Sequence, residues 1–273
     1  MSFKAIDSLK GTLIGHRVRR SNYYAPFYQA SMTLLRNSNV AYIENSKVGC
    51  TKIKKCLLEL DNWPKRWDEM IEKEVHIHNK ELTNMVGPKK LTGIGLYTVL
   101  NDPSFYRFGF VRNPYDRLLS AYKDKILAPQ KSPDKRNYVS VACKIKAHST
   151  GESARSINLD NTPVSFSEFV DFVEKQRAYD MDRHWFHQYL TMWHPYCKFH
   201  FIGRFEQFSS DLEQVLINLG APDQLVKSAR SRDNASFSSK QKYYTGDVAE
   251  KVHKVFKTDF DTYGYDKNSW SDY

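Results

Sequence analysis

Cysteine is scarce in this sequence: Cys50, Cys56, Cys143 and Cys197 are the only four in 273 residues. They are too few and too dispersed for a disulfide-scaffolded fold, and no Cys-x-x-Cys pair suggests zinc. Reduced thiols and a cytoplasmic chain are the expectation. Long hydrophobic runs are missing too. No stretch approaches the roughly 20 apolar residues of a membrane span, and "MSFKAIDSLKGTLIGHRVRR" lacks the uninterrupted apolar core of a signal peptide. In that setting the sequon Asn234-Ala235-Ser236 reads as a chance match. There is no low-complexity tract and no internal repeat, which sets aside disordered tails and repeat arrays.

Negative charge is the minority: 31 Asp and Glu stand against 41 Lys and Arg, a net charge of +10. An excess of this size points to an anionic partner. Nucleic acid, a nucleotide, an anionic polysaccharide or a membrane surface would all fit, and so would a generically basic surface. What the chain does have is a globular composition, 41% hydrophobic and 14% aromatic, at a length that can bury a full core.

Short apolar runs alternate with helical patterns. "VAYIE" (Val40 to Glu44) reads as a buried strand, followed by a helix with Ile53, Cys56, Leu57 and Leu60 on one face. "YRFGFV" (Tyr106 to Val111) is a second strand, then a turn and the helix "YDRLLSAYKDKI" with Leu119, Tyr122 and Ile126 on one side. "KFHFIG" (Lys198 to Gly203) is a third strand. Capping boxes are expected at Ser165 with Glu168 and at Ser210 with Glu213, and Gly220 is a helix stop. The segment 128–163 shows no sustained periodicity and reads as a loop, and a last helix is expected from about Asp247 to Lys257. Buried strands alternating with amphipathic helices predict a single α/β domain over 1–273, a parallel sheet covered on both faces.

In such sheets, ligands bind where strands end and helices begin. Two turns stand at such places. In "NSKVGCTK" (Asn45 to Lys52), Gly49 admits an oxyanion close to the backbone, Thr51 adds a hydroxyl, and Lys47 and Lys52 add charge. The full GxxxxGK[ST] spacing is missing, so a nucleoside triphosphatase is not indicated. A tight turn before a solvated basic helix fits the same residues. In the second turn, Arg112 follows a strand and Ser120 lies on the next helix, a pair able to grip a phosphate. A salt bridge at the sheet edge and a small helix-contact residue fit them as well. Two such turns in one chain suggest a ligand with two separated phosphate groups.

"SKVGCTK" followed by "FGFVRNPYDRLLSAYKDK" resembles the sulfotransferases that use 3′-phosphoadenosine 5′-phosphosulfate (PAPS), and within them the carbohydrate branch. "DRHWFHQYLTMWHP", "FIGRFEQFSSDLEQVL" and "KVFKTDFDTYGYD" are similar to that branch too, so the likeness runs from about Val40 to Asp266. The resemblance implies a P-loop-type parallel sheet flanked by helices, the sulfotransferase fold. It implies that Lys47, Gly49, Cys50, Thr51 and Lys52 bind the 5′-phosphosulfate, with Lys47 neutralising the leaving oxygen, and that Arg112 and Ser120 bind the 3′-phosphate. It implies a carbohydrate or polysaccharide acceptor rather than nucleic acid. Ser46 stands where the branch usually has proline, and Trp193 and Tyr196 flank Pro195 where Golgi members carry Cys-x-Pro-Cys.

Transfer to a sugar hydroxyl needs a base, and histidine titrates in the right range. "VHIHNK" places His76 and His78 between the two turns, and the resemblance favours His78 as base. His184, in "DRHW", is the second candidate, supported by the resemblance as a site residue. Glu206 is a carboxylate alternative that fits a structural ion pair better. A His-x-His pair also suits a metal, but no third ligand has the spacing, so no metal is expected. Tyr122, Trp185 and Tyr189 are candidate sugar-stacking aromatics, with core packing as the competing role.

Overall fold

A computed structural model describes residues 31–35, 38–61, 98–128, 138–159, 163–230 and 240–272. The chain forms two compact units. One draws on Met1–Val111 and Gln188–Ala235, the other on Arg112–His187 and Ser236–Tyr273.

The first unit holds a four-stranded sheet in the order β1 (Ser31–Leu34), β2 (Val40–Glu44), β3 (Tyr106–Val111), β4 (Phe201–Arg204). β2, β3 and β4 run parallel, and only β1 is antiparallel to its neighbour. Every residue of β2 is buried and β3 is buried after its first residue. That continuity is what a strand covered on both faces requires, and it made both strands readable as apolar runs. In the core, Tyr42 stacks on Phe108 at 5.2 Å. α1 (Cys50–Leu60) covers this ring pair with Ile53, Cys56 and Leu57, and α6 (Phe208–Asn218) adds Leu212, Val215 and Leu216. The sheet is therefore mixed α/β and mostly parallel, flanked by helices, as expected.

Several local readings differ. β4 begins at Phe201, not Lys198. The Lys198 carbonyl accepts instead from Arg107 Nε at 2.5 Å, so it is spent on a buried guanidinium rather than on the ladder. The capping box at Ser210 does not form: a 3₁₀ turn (Phe205–Gln207) runs straight into α6, which starts at Phe208 with no side-chain cap. Ser210 donates back to the Gln207 carbonyl, while Glu213 pairs with Arg230 at the end of α7 (Asp223–Ala229). β1 has no counterpart in the sequence reading at all. Gly220 does stop α6, in the left-handed region at φ 68°.

The second unit is helical: α2 (Pro114–Ala121), a π-helical turn (Tyr122–Leu127), α3 (Val139–Thr150), α4 (Phe166–Lys175) and α8 (Gly246–Tyr263). The fourth difference lies here. α3 occupies a segment that read as loop, because only Ala142 and Ile145 turn inward and leave no apolar stripe to see. Polar links fix it instead: Lys146 and Ser149 both donate to Glu168, 2.8 and 2.7 Å away. Glu168 also closes the capping box with Ser165, which forms as expected. α8 runs past its expected end to Tyr263, with Gly264 as its cap and a kink at Phe256. The core of this unit is aromatic. Tyr115 packs on Tyr244 and Phe260, Tyr122 on Phe166, and Phe169 on Trp185.

Candidate functional site

β2 and β3 are adjacent and parallel, with Ile43 opposite Gly109, so their carboxyl ends share one edge of the sheet. The turn after β2 is tightly built. Asn45 is fully buried, and its Nδ2 donates to the Phe110 carbonyl at 3.1 Å and, at the start of α5 (Gln188–Thr191), to Gln188 Oε1 at 2.8 Å. Val48 is buried as well. Between these anchors Lys47 (φ 69°) and Gly49 (φ 86°) both adopt left-handed backbone, a conformation that costs a lysine roughly 1–2 kcal/mol. The loop thus holds Lys47 in a strained position two residues before Gly49. At Gly49, space is as limiting as φ. A Cβ there would sit 2.5 Å from the Phe208 ring.

Gly49 begins α1, which has no side-chain cap. The first-turn N–H groups of a helix have no acceptor within it, and the helix dipole favours negative charge at this end. Thr51 is exposed and Lys52 half-buried on that first turn. The Cys50 thiol donates to the Asn45 carbonyl at 2.6 Å, closing the loop behind the helix. Burial, reinforced by Cys50, pushes the Tyr42 phenol well above its ordinary value, so it stays neutral beneath the turn. Lys47, Gly49, Cys50, Thr51 and Lys52 are therefore brought together at one helix start. Lys54 is different: it turns inward and pairs with Glu44 at 2.8 Å, the two being 1% and 4% exposed. Thr33 donates to the same carboxylate.

The turn after β3 opens the second unit. Asn113 caps α2 by accepting from Tyr115 N at 3.0 Å, and Pro114 takes the first helical position. Arg112 and Ser120 are both half-buried. Two further cations join them. Burial pushes the Lys123 ammonium below its ordinary value, and the charges of Arg112 and Lys242 push the same way. Lys123 Nζ sits 4.7 Å above the Tyr243 ring. Like charges gathered this closely repel, and an anion among them relieves the repulsion. Arg117, by contrast, is structural: it is buried and donates to the Phe186 carbonyl at 2.8 Å.

His184 lies elsewhere in the second unit, with Nδ1 2.6 Å from Asp182 Oδ1 and 3.2 Å from the Tyr138 hydroxyl. His76 and His78 lie outside the described residues. Of the three aromatics, Tyr122 and Trp185 belong to the core. Tyr122 donates to the Val164 carbonyl and Trp185 Nε1 to Gln176. Tyr189 is half-buried. Glu206 is exposed on the 3₁₀ turn before α6. Among the described residues, no group of three or more His, Cys, Asp or Glu side chains is placed to hold a metal ion.

The pattern of the sulfotransferase family matches residues 32–266 of the chain. The chain belongs to the sulfotransferase family. It is 26% identical to human carbohydrate sulfotransferase 9 over 217 residues, 77% of this chain and 46% of that protein. It is 26% identical to rat carbohydrate sulfotransferase 11 over 236 residues, 80% of this chain and 62% of the relative. With rat carbohydrate sulfotransferase 10 it shares 25% identity over 247 residues, 84% and 65% of the two chains. The chain thus spans about half to two thirds of the length of these relatives. No solved structure matches it.

The sequence reading did not single out Lys123 and Lys242 beside Arg112, or Asp182 beside His184. Lys123 stands three residues after Ser120, on the same face of a helix, and that spacing alone could have drawn attention to it. Lys242 comes from the far end of the chain and carries no local signal. Asp182, two residues before a histidine, was readable as a partner only once the turn was seen.

Proposed function

We propose that this chain moves a sulfuryl group from PAPS to a hydroxyl of a carbohydrate. The observation that carries the reading is that neighbouring parallel strands β2 and β3 each end in an anion-receptive turn. The residues fit a donor with two phosphate-bearing ends. The turn at Lys47 to Lys52 offers a left-handed glycine and an uncapped helix start. At the turn at Arg112, burial and the charges of Arg112 and Lys242 press Lys123 downward against the opposing charge of Asp116, and an anion there would add to that opposition. The donor supplies the activated sulfuryl group. Gly49, Thr51, Lys52 and the backbone at Cys50 hold its 5′ end, and Lys47 stabilises the charge that develops on the leaving oxygen. Arg112 and Ser120, with Lys123 and Lys242, hold the 3′-phosphate. A histidine, His78 or His184, takes the hydroxyl proton. Lysine and arginine supply the positive charge, and no metal is invoked.

A non-catalytic polyanion binder is the competing reading, favoured by the net charge of +10. Thermal unfolding separates the two. Adenosine 3′,5′-bisphosphate is expected to stabilise the protein by about 2.7 kcal/mol at a hundred times its Kd, well beyond ATP or AMP at the same concentration. Equal response to all three, with steeply salt-dependent binding to arbitrary DNA, supports the binder instead.

A further inference from the structure

Lys240 ties together separate segments of the second unit. Its ammonium donates to Asp116 Oδ2 at 3.2 Å, on the first turn of α2, and to the Ser269 carbonyl at 2.8 Å, after the end of α8. Its own carbonyl accepts from Tyr243 N and Tyr244 N at 2.8 and 3.0 Å, which closes a 3₁₀ turn, Lys240–Lys242. Lysine is almost never buried without a partner, yet this side chain keeps only 8% of its surface exposed. Lys242, on the same turn, is exposed. The turn thus buries one lysine as an anchor and presents the other to solvent.

The segment after α8 is bonded to the start of α2 at further points. Asn113 Nδ2 donates to Ser269 Oγ at 2.7 Å, while Oδ1 of the same amide caps α2. Ser269 Oγ donates in turn to the Asp266 carbonyl at 2.6 Å. The Tyr115 hydroxyl donates to the Lys267 carbonyl at 2.6 Å, and the Tyr244 hydroxyl to the Tyr115 carbonyl at 2.8 Å. Asn113, Tyr115, Tyr244 and Ser269 are all buried. Burial pushes both phenols up, Tyr115 to about 12, so they remain donors.

Beginning a helix does not require this much, since the Asn113 cap and Pro114 already suffice. The bonds also fix where the Lys240–Lys242 turn lies against α2, directly after Arg112. Tyr243 follows that turn, and Lys123 Nζ rests 4.7 Å from its ring centre. Lys123 in turn feels the charges of Arg112 and Lys242. Asp116 would repel a phosphate held at this place, and its pairing with Lys240 offsets that charge.

We propose that Lys240 is a positioning residue for phosphate recognition: locked to Asp116 and Ser269, it places Lys242, and through Tyr243 places Lys123, in the same field as Arg112. This rests on the sulfotransferase reading, in which the turn at Arg112 takes the 3′-phosphate of the donor. The preference for a nucleotide with a 3′-phosphate over one without it is then set by a residue that does not touch the nucleotide.

The test is calorimetric titration of the full chain with adenosine 3′,5′-bisphosphate and with AMP, which lacks the 3′-phosphate. The ratio of the two Kd values reads recognition of that phosphate alone. In Lys240→Met the ratio is expected to shrink about 10- to 100-fold, the worth of one hydrogen bond between charged groups, with Kd for AMP unchanged. Combining Lys240→Met with Lys242→Gln should shrink it by much less than the product of the two single losses, because one residue acts through the other. A merely structural role gives the full product and weakens both ligands alike. Where Lys240→Met does not fold, Ser269→Ala decides the matter. It leaves the Lys240 ammonium and its carbonyl partner in place, removes the Asn113 contact, and should shrink the ratio about two- to tenfold. An unchanged ratio in the deciding variant overturns the proposal, and so do losses that multiply in full. A wild-type ratio near one removes the sulfotransferase reading itself, and this proposal with it.

Discussion

The Phe208 ring lies 2.5 Å from where a Cβ on Gly49 would stand. Residue 49 is therefore fixed as glycine twice, by a φ of 86° and by an aromatic wall from α6. Gly49→Ala should cost about 1–2 kcal/mol for the left-handed backbone and about 1–3 kcal/mol more for overpacking. Denaturant titration reads the total. Gly49→Ala combined with Phe208→Leu should recover only the packing part, and a full recovery would show that φ carries no strain.

Lys54 and Glu44 make a different prediction, because their ion pair is almost wholly buried. Lys54→Met leaves Glu44 charged and unmatched inside the first unit, at a cost of about 3–5 kcal/mol. Replacing both partners, as Lys54→Met with Glu44→Gln, should cost clearly less. Chemical denaturation of the single and double variants checks this; equal losses would mean that the pair's charge is not what matters.

How much of this was legible in the sequence depended on how each feature buries itself. β2 and β3 were readable because parallel strands covered on both faces are apolar throughout. The Ser165–Glu168 box was readable because nothing helical precedes it, whereas the Ser210 signal failed because a 3₁₀ turn runs directly into α6. α3 was hidden because Lys146 and Ser149, not an apolar stripe, attach it. At the candidate site, the Lys47 to Lys52 turn is contiguous and was found. The cluster of Arg112 with Lys123 and Lys242 is assembled from distant segments and was not. Among "KIKK", no pattern distinguished the buried Lys54 from its outward neighbours.

The cation cluster predicts opposite effects on binding and folding. Lys242→Gln removes one of the charges that depress Lys123. Stability without ligand should hold or rise slightly, while affinity for adenosine 3′,5′-bisphosphate falls. Calorimetric titration beside thermal unfolding shows both. Unchanged affinity would place the 3′-phosphate elsewhere.

Two groups set the acid response. Burial, with Arg117 nearby, pushes His187 down to about 4. The unfolded chain therefore binds that proton first, and stability falls as pH drops from about 6.5 towards 4. Burial would raise Glu168, but bonds from Lys146, Ser165 and Ser149 hold it near 2. Its contribution is present above the unfolded value of about 4.3 and is lost as pH falls through about 2; solvent screening keeps it modest. Urea unfolding across pH should show Glu168→Gln removing only the lower window. A lower window that persists in Glu168→Gln assigns it to other carboxylates.

Sulfuryl transfer itself is the most direct measurement. The protein is incubated with ³⁵S-labelled PAPS and a panel of neutral and acidic oligosaccharides, and labelled sugar and adenosine 3′,5′-bisphosphate are both quantified. The account predicts label in at least one carbohydrate, matched one for one by the bisphosphate, and abolished by Lys47→Ala. Tight binding of the bisphosphate with no labelled carbohydrate from any acceptor would contradict it.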